Sequence, residues 1–136
     1  PDGSKAYVSG ESDGTVSVVD VATHRVLRTI GLPEGSRPMG IAVAPDGSRV
    51  YVSNGRGGSV SVIDPATDSV IATIPVGARP WGIATSSDGR RLYTANRPSD
   101  DVAVVDTERR IVVRRLRTGR MPWGIAVGPK PPAEAR

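Results

Sequence analysis

The chain lacks cysteine and phenylalanine altogether, and among its 136 residues it has one histidine, two lysines and five aromatic side chains. Without cysteine there is no disulfide, no thiolate metal site and no cysteine nucleophile. No run of eighteen apolar residues occurs, which excludes a helix that spans a membrane. Long helices are excluded too. The 16 Gly and 12 Pro are spread so that no stretch free of both exceeds about twenty residues. What remains is Val-, Ile- and Ala-rich segments between Gly, Pro, Asp and Ser turns, the pattern of an all-β chain. The length suits one domain.

Only Lys5 and Lys130 are lysines, so sixteen of the eighteen basic residues are Arg, set against fourteen acidic ones for a net charge of +4. That charge is ordinary for a small domain kept in solution. Nucleic acid is not an expected partner, because the Arg-rich segments carry no aromatic residues on which bases could stack. The opening Pro1-Asp2-Gly3 reads as a turn, with neither Met nor an apolar signal core, so the sequence is expected to be trimmed.

A repeat organises the chain. Pro1-Asp2-Gly3-Ser4-Lys5-Ala6-Tyr7-Val8-Ser9 returns as Pro45-Asp46-Gly47-Ser48-Arg49-Val50-Tyr51-Val52-Ser53 and again, with changes, from Ser87 to Ala95. Val16-Ser17-Val18-Val19-Asp20 returns as Val60-Ser61-Val62-Ile63-Asp64 and Val102-Ala103-Val104-Val105-Asp106. Pro38-Met39-Gly40-Ile41-Ala42 returns as Pro80-Trp81-Gly82-Ile83-Ala84 and Pro122-Trp123-Gly124-Ile125-Ala126, at steps of 42 residues. Tyr7, Tyr51, Tyr93, Trp81 and Trp123, the five aromatics, thus occupy only two positions of the repeat. Each repeat holds four short strand-like segments separated by Asp-Gly, Gly-rich and Pro-Ala-Thr-Asp turns, which is the period of a propeller blade.

Tyr51-Val52-Ser53-Asn54, followed by Val60-Ser61-Val62-Ile63-Asp64 and Ile74-Pro75-Val76-Gly77, resembles the YVTN β-propeller repeat. The resemblance runs to about Pro129. Gly10 stands where Asn54 and Asn96 stand in the other copies, Thr94-Ala95 replaces Val-Ser, and Met39 replaces Trp. The Pro-Trp-Gly-Ile-Ala segment is also similar to the end of propellers associated with pyrroloquinoline-quinone-dependent catabolism. The resemblance implies blades of about 42 residues, a ring of six or seven in the whole protein, and a periplasmic or extracellular location. The expected organisation is three repeats (1–44, 45–86, 87–128) and a Pro-rich C-terminal tail, 129–136.

In the strand order that the resemblance implies, Gly-Ile-Ala begins a blade's inner strand, the Tyr segment is second, Val-Ser-Val third, and Val-Ile-Ala-Thr-Ile outermost. The chain then opens on a second strand and closes on an inner one, Gly124 to Gly128. Three four-stranded blades cannot close a ring of the usual four to eight. They form a partial ring completed by upstream blades, or half of a six-bladed ring in which two chains exchange Gly124 to Gly128.

No catalytic constellation is read from the sequence, and no metal or cofactor site. His24 lies alone in a turn. Gly55-Arg56-Gly57-Gly58 lacks the Lys-Ser/Thr and helix of a phosphate cradle and reads as a tight strand connection. Asp20, Asp64 and Asp106 recur just after a strand, as turn formers bonding backbone N–H groups. The candidate ligand-binding residues are Arg37, Arg79, Trp81, Arg120 and Trp123. They recur on the connection from outer to inner strand, and cations beside aromatic surface suit anionic or aromatic ligands. Packing of Trp between blades and pairing of Arg with turn carboxylates is the structural alternative. The expected function is a non-enzymatic scaffold that binds protein or a small ligand outside the cytoplasm. The alternative is a part of a larger propeller enzyme or cofactor-associated unit, quinone-linked or lyase-like, whose site lies mainly in other blades.

Overall fold

The computed structural model describes residues 1–129. They contain eleven strands and no helix. β1 (Lys5–Gly10), β2 (Thr15–Asp20) and β3 (Arg25–Gly31) form a three-stranded sheet. β4 (Pro38–Val43), β5 (Val50–Asn54), β6 (Ser59–Asp64) and β7 (Ser69–Pro75) form a second, four-stranded sheet in that order. β8 (Pro80–Thr85), β9 (Arg91–Asn96), β10 (Asp101–Asp106) and β11 (Ile111–Arg117) repeat it as a third. All neighbouring strands are antiparallel. These are three propeller blades, the first short of its inner strand.

The turns follow from their residues. Asp46 Oδ1 accepts hydrogen bonds from the backbone N–H and hydroxyl of Ser48, at 2.9 and 2.7 Å, and Asp2 does the same with Ser4. Gly47 takes the left-handed conformation that closes the turn, φ 74°. On the strand-three turns, Asp20 Oδ1 accepts from Thr23 N (2.7 Å), Asp64 Oδ1 from Ala66 N (2.9 Å) and Asp106 Oδ1 from Arg109 N (2.9 Å). The recurrent carboxylates are turn formers. A bulge falls at one repeat position in all three blades, between Val18 and Val19, Val62 and Ile63, and Val104 and Val105, where it adds twist.

The cores lie between blades. Val16, Val18 and Ile30 of the first blade meet Val50, Val52 and Ile63 of the second. Tyr51, Val60, Val62 and Ile74 leave the second blade's other face to meet Ile83, Leu92, Ala103 and Val105 of the third. Alternation along a strand sends Tyr51 forward and its neighbours Val50 and Val52 back. The same serine position ties the inner strands: Ser9 Oγ donates to Met39 O and Ser53 Oγ to Trp81 O, both at 2.8 Å.

The first sheet has three strands, as a chain that opens on a blade's second strand requires, and the other two have four. One expectation needs correction: Gly124 to Gly128 was expected as a twelfth strand, yet residues 118–129 form none. An inner strand takes its ladder from the strand that follows it, as β4 does from β5, and none follows Gly128 among the described residues. The third repeat also has Ala95 where Ser9 and Ser53 bind the next inner strand. The segment nonetheless sits in the inner-strand position. A Cβ on Gly82 would lie 2.5 Å from Trp123 O, just as one on Gly40 would lie 2.6 Å from Trp81 O. Of the expected tail, residues 130–136 lie outside the described residues.

The Asp turns carry a pH dependence. Backbone and hydroxyl donors hold Asp2, Asp20, Asp46, Asp88 and Asp106 below the usual carboxylate range; for Asp46 and Asp88 the largest cause is a serine hydroxyl, for the others a backbone N–H. A carboxyl whose pKa is lowered on folding stabilises above its unfolded value, about 3.9, and the contribution fades as pH falls through the folded value. Thermal melting should therefore be flat from neutrality to about pH 5 and decline below about 4. Asp46→Asn should flatten that decline when melting is followed against pH.

Candidate functional site

One face of the three-blade array carries the starts of the inner strands and the turns between second and third strands. Arg37, Arg79 and Met121 each precede the inner-strand Pro, and each has positive φ, 46°, 46° and 55°. A non-Gly side chain held there is strained, and hydrogen bonds fix the backbone. Gly55 N donates to Arg37 O at 2.9 Å, Arg97 N to Arg79 O at 3.1 Å, and Met121 N to Asp100 Oδ1 at 2.7 Å. The connection therefore presents the same position from every blade.

Arg37, Arg56, Arg79, Met39, Trp81 and Glu11 line a cleft of about 470 Å³ on this face. A smaller cleft of about 180 Å³ shares Arg79 and Trp81 and adds Arg97, Pro98 and Met121. Trp81 and Trp123 are stacked obliquely, with ring centroids 4.1 Å apart and planes at 58°. The Arg97 guanidinium carbon stands 5.2 Å from both rings, within cation–π reach. Charge is one-sided. Arg37 pairs with Glu11 at 3.6 Å, both half-exposed, while among the described residues Arg56, Arg79 and Arg97 have no carboxylate within 4.0 Å.

Of the residues singled out from sequence, Arg37, Arg79 and Trp81 line one cleft and Trp123 lies against Trp81. Arg120 lines neither cleft; Met121, next to Pro122, takes the place that Arg37 and Arg79 hold in the other copies. Arg56 and Arg97 were missed. Each follows closely on Asn54 or Asn96 at the end of a second strand, across the hairpin from Arg37 or Arg79. That antiparallel adjacency is the signal that could have revealed them. Packing of Trp also contributes here, since Trp81 is only partly exposed whereas Trp123 is 60% exposed.

The indole pair offers a direct check. Two indoles at 4.1 Å couple electronically and split their far-ultraviolet dichroism band into a couplet. These are the chain's only tryptophans, so Trp81→Phe or Trp123→Phe should each abolish the whole couplet without shifting the β-sheet signal.

The model of the YNCE-like beta-propeller family matches residues 12–132. No curated protein matches the chain. Among solved structures, hydrazine synthase of Kuenenia stuttgartiensis superposes with a TM-score of 0.83 at 36% identity, over 88% of this chain and 34% of that one. The dihydro-heme d1 dehydrogenase NirN, in complex with DHE, gives 0.71 at 22% identity, over 84% of this chain and 24% of that one. A putative 6-phosphogluconolactonase of Bacteroides fragilis gives 0.74 at 19% identity, over 88% and 38%. The last two likenesses are of fold. The chain spans about a third of the length of the hydrazine synthase chain.

Proposed function

The chain belongs to the YNCE-like beta-propeller family, and from that premise we propose that it is a non-enzymatic scaffold whose loop face binds a small ligand, or a protein segment, with negative charge beside planar aromatic surface. One observation carries this. Four guanidinium groups, Arg37, Arg56, Arg79 and Arg97, line two adjoining clefts that share the partly exposed Trp81, with the exposed Trp123 ring against it, and among the described residues a single carboxylate, Glu11, pairs with one of them. Arginines without carboxylates are a standing demand for an anion, and their planar forks bind carboxylate or phosphate in a bidentate manner. The Trp81 and Trp123 faces add stacking area for a ring.

The probe we would use is naphthalenedicarboxylate, with uncharged naphthalene methanol as its control, followed by quenching of tryptophan fluorescence. The dianion should bind at least tenfold more tightly than the neutral ring and lose affinity with added salt. Arg79→Ala with Trp81→Ala should remove at least a further tenfold, about 1.4 kcal/mol. Equal binding of charged and neutral rings, or binding unchanged in the double variant, would overturn the reading. The location outside the cytoplasm rests on the YVTN resemblance; cell fractionation that found the natural protein in the cytoplasm would refute it.

A further inference from the structure

The face opposite the arginine and tryptophan residues carries the Asp-Gly turns and the turns from third to outer strands. Between the second and third blades these turns border a cleft of about 530 Å³, within the range of roughly 300–1,000 Å³ that small-molecule sites occupy. Each wall carries the same pair, Asp46 with Arg49 on the second blade and Asp88 with Arg90 on the third. Each Asp spends Oδ1 on its own turn: Asp46 on Ser48, Asp88 on the Ser86 hydroxyl (2.6 Å) and Arg90 N (3.0 Å). Among the described residues neither Arg49 nor Arg90 has a carboxylate within 4.0 Å. Each is still near enough to hold its Asp further below the usual carboxylate range, after the turn donors. A carboxylate and a guanidinium spaced beyond direct contact are what a bridging hydroxyl requires. Tyr51 lines the cleft between the walls. It is only 4% exposed, and among the described residues its hydroxyl makes no hydrogen bond of 3.5 Å or less. Its polar neighbour, the Thr107 hydroxyl, spends its own proton on Gly89 O at 2.7 Å. Burial pushes the Tyr51 phenol up, so at neutral pH it keeps its proton and is a donor.

We propose that this cleft binds a neutral saccharide, its hydroxyls held by Asp46, Arg49, Asp88, Arg90 and Tyr51. A hydroxyl gives one hydrogen bond and accepts two, so it can donate to a carboxylate and accept from a guanidinium at once. Both bonds are then charge-assisted. Two such pairs face each other across the cleft with a phenol donor between them, which is the alternation that a ring of hydroxyls matches. Counting Glu108, three carboxylates stand against two guanidiniums, so no excess of positive charge draws an anion here. A zwitterion fits poorly as well, because acid and base stand side by side on each wall instead of on opposite walls. The turns hold the carboxylates in place before binding, which limits the freedom lost when a ligand arrives. The repeat supplies a contrast. Between the first and second blades, Lys5 and Tyr7 take the positions of Arg49 and Tyr51 in a cleft of about 450 Å³. There Lys5 Nζ donates to Pro65 O at 3.2 Å and lies 3.7 Å from Asp68, so the cation is already spent. Pro65 and Ala66 also stand where Thr107 and Glu108 stand in the other cleft. The saccharide site is therefore assigned to the second and third blades.

The test is a titration followed by amide chemical shifts, with cellobiose, maltose and lactose as probes. Glycylglycine and cyclohexanol report zwitterionic and apolar binding instead. At least one disaccharide should shift the amides of Arg49, Gly89, Arg90 and Thr107 while those of Arg37, Arg56, Arg79 and Arg97 stay in place. Tyr51→Phe, which keeps the buried ring, and Arg49→Gln should each weaken that binding at least fivefold at an unchanged melting temperature. Tyr7→Phe, in the contrasting cleft, should leave it as it was. The proposal fails if no disaccharide shifts these amides, or if glycylglycine or cyclohexanol shifts them more. A loss in Tyr7→Phe as large as in Tyr51→Phe would also overturn it. The two clefts lie on opposite faces, so failure here leaves the anion reading standing, and failure of that reading leaves this one.

Discussion

Leu92→Ala should cost about 2–5 kcal/mol of folding stability, the range for emptying a buried Leu site whose surroundings cannot collapse. Leu92 is fully buried and packs with Tyr51, Val60 and Val62 of the second blade, so its loss opens a cavity between two sheets. Ile63→Ala should cost a similar amount for the opposite reason. Ile63 is equally buried but faces the first blade, among Val16, Val18 and Ile30. In a repeat array, stability is a sum of blade terms and nearest-neighbour contacts. The two truncations should then leave different parts folded: Leu92→Ala loosens the third blade first, Ile63→Ala the first. Urea unfolding gives the totals, and hydrogen exchange shows which strands open. Val26→Ala, at a site 62% exposed on an outer strand, should change stability by no more than about 0.5 kcal/mol. If both core variants opened all three sheets together, the additive picture would fail.

The sequence made the blades readable because a propeller repeats its chemistry. Each Asp-Gly turn, Val-rich strand and Pro-x-Gly-Ile-Ala start recurs in register, so the strand segments are legible from the repeat, while their order within a blade is what the YVTN resemblance implies. Spatial adjacency was less readable. Arg56 and Arg97 each sit in a different motif from Arg37 and Arg79, and only the antiparallel hairpin between inner and second strands brings the pairs together. Arg120 misled for the converse reason. It looks like its counterparts in composition, but the position is counted back from Pro122, and that count falls on Met121. Gly124 to Gly128 has the sequence of a strand, yet a strand needs hydrogen-bonding neighbours as well as β propensity.

Gly40→Ala should destabilise by about 1–3 kcal/mol or more, the cost of forcing an atom into a packed interior, whereas Gly82→Ala, at the next copy of the same position, should cost far less in a single chain. Both glycines admit a neighbouring backbone to within 2.6 Å of where a Cβ would stand. The difference lies in whether that backbone can move. Gly40 faces Trp81 O, and both strands are held, β4 by β5 and β8 by β9, with Ser53 Oγ also donating to Trp81 O and accepting from Gly40 N at 2.9 Å. Gly82 faces Trp123 O on a segment with no ladder, which can withdraw. Its withdrawal should appear as loss of the indole couplet and of the Arg97 contact to Trp123 while the melting temperature stays nearly unchanged.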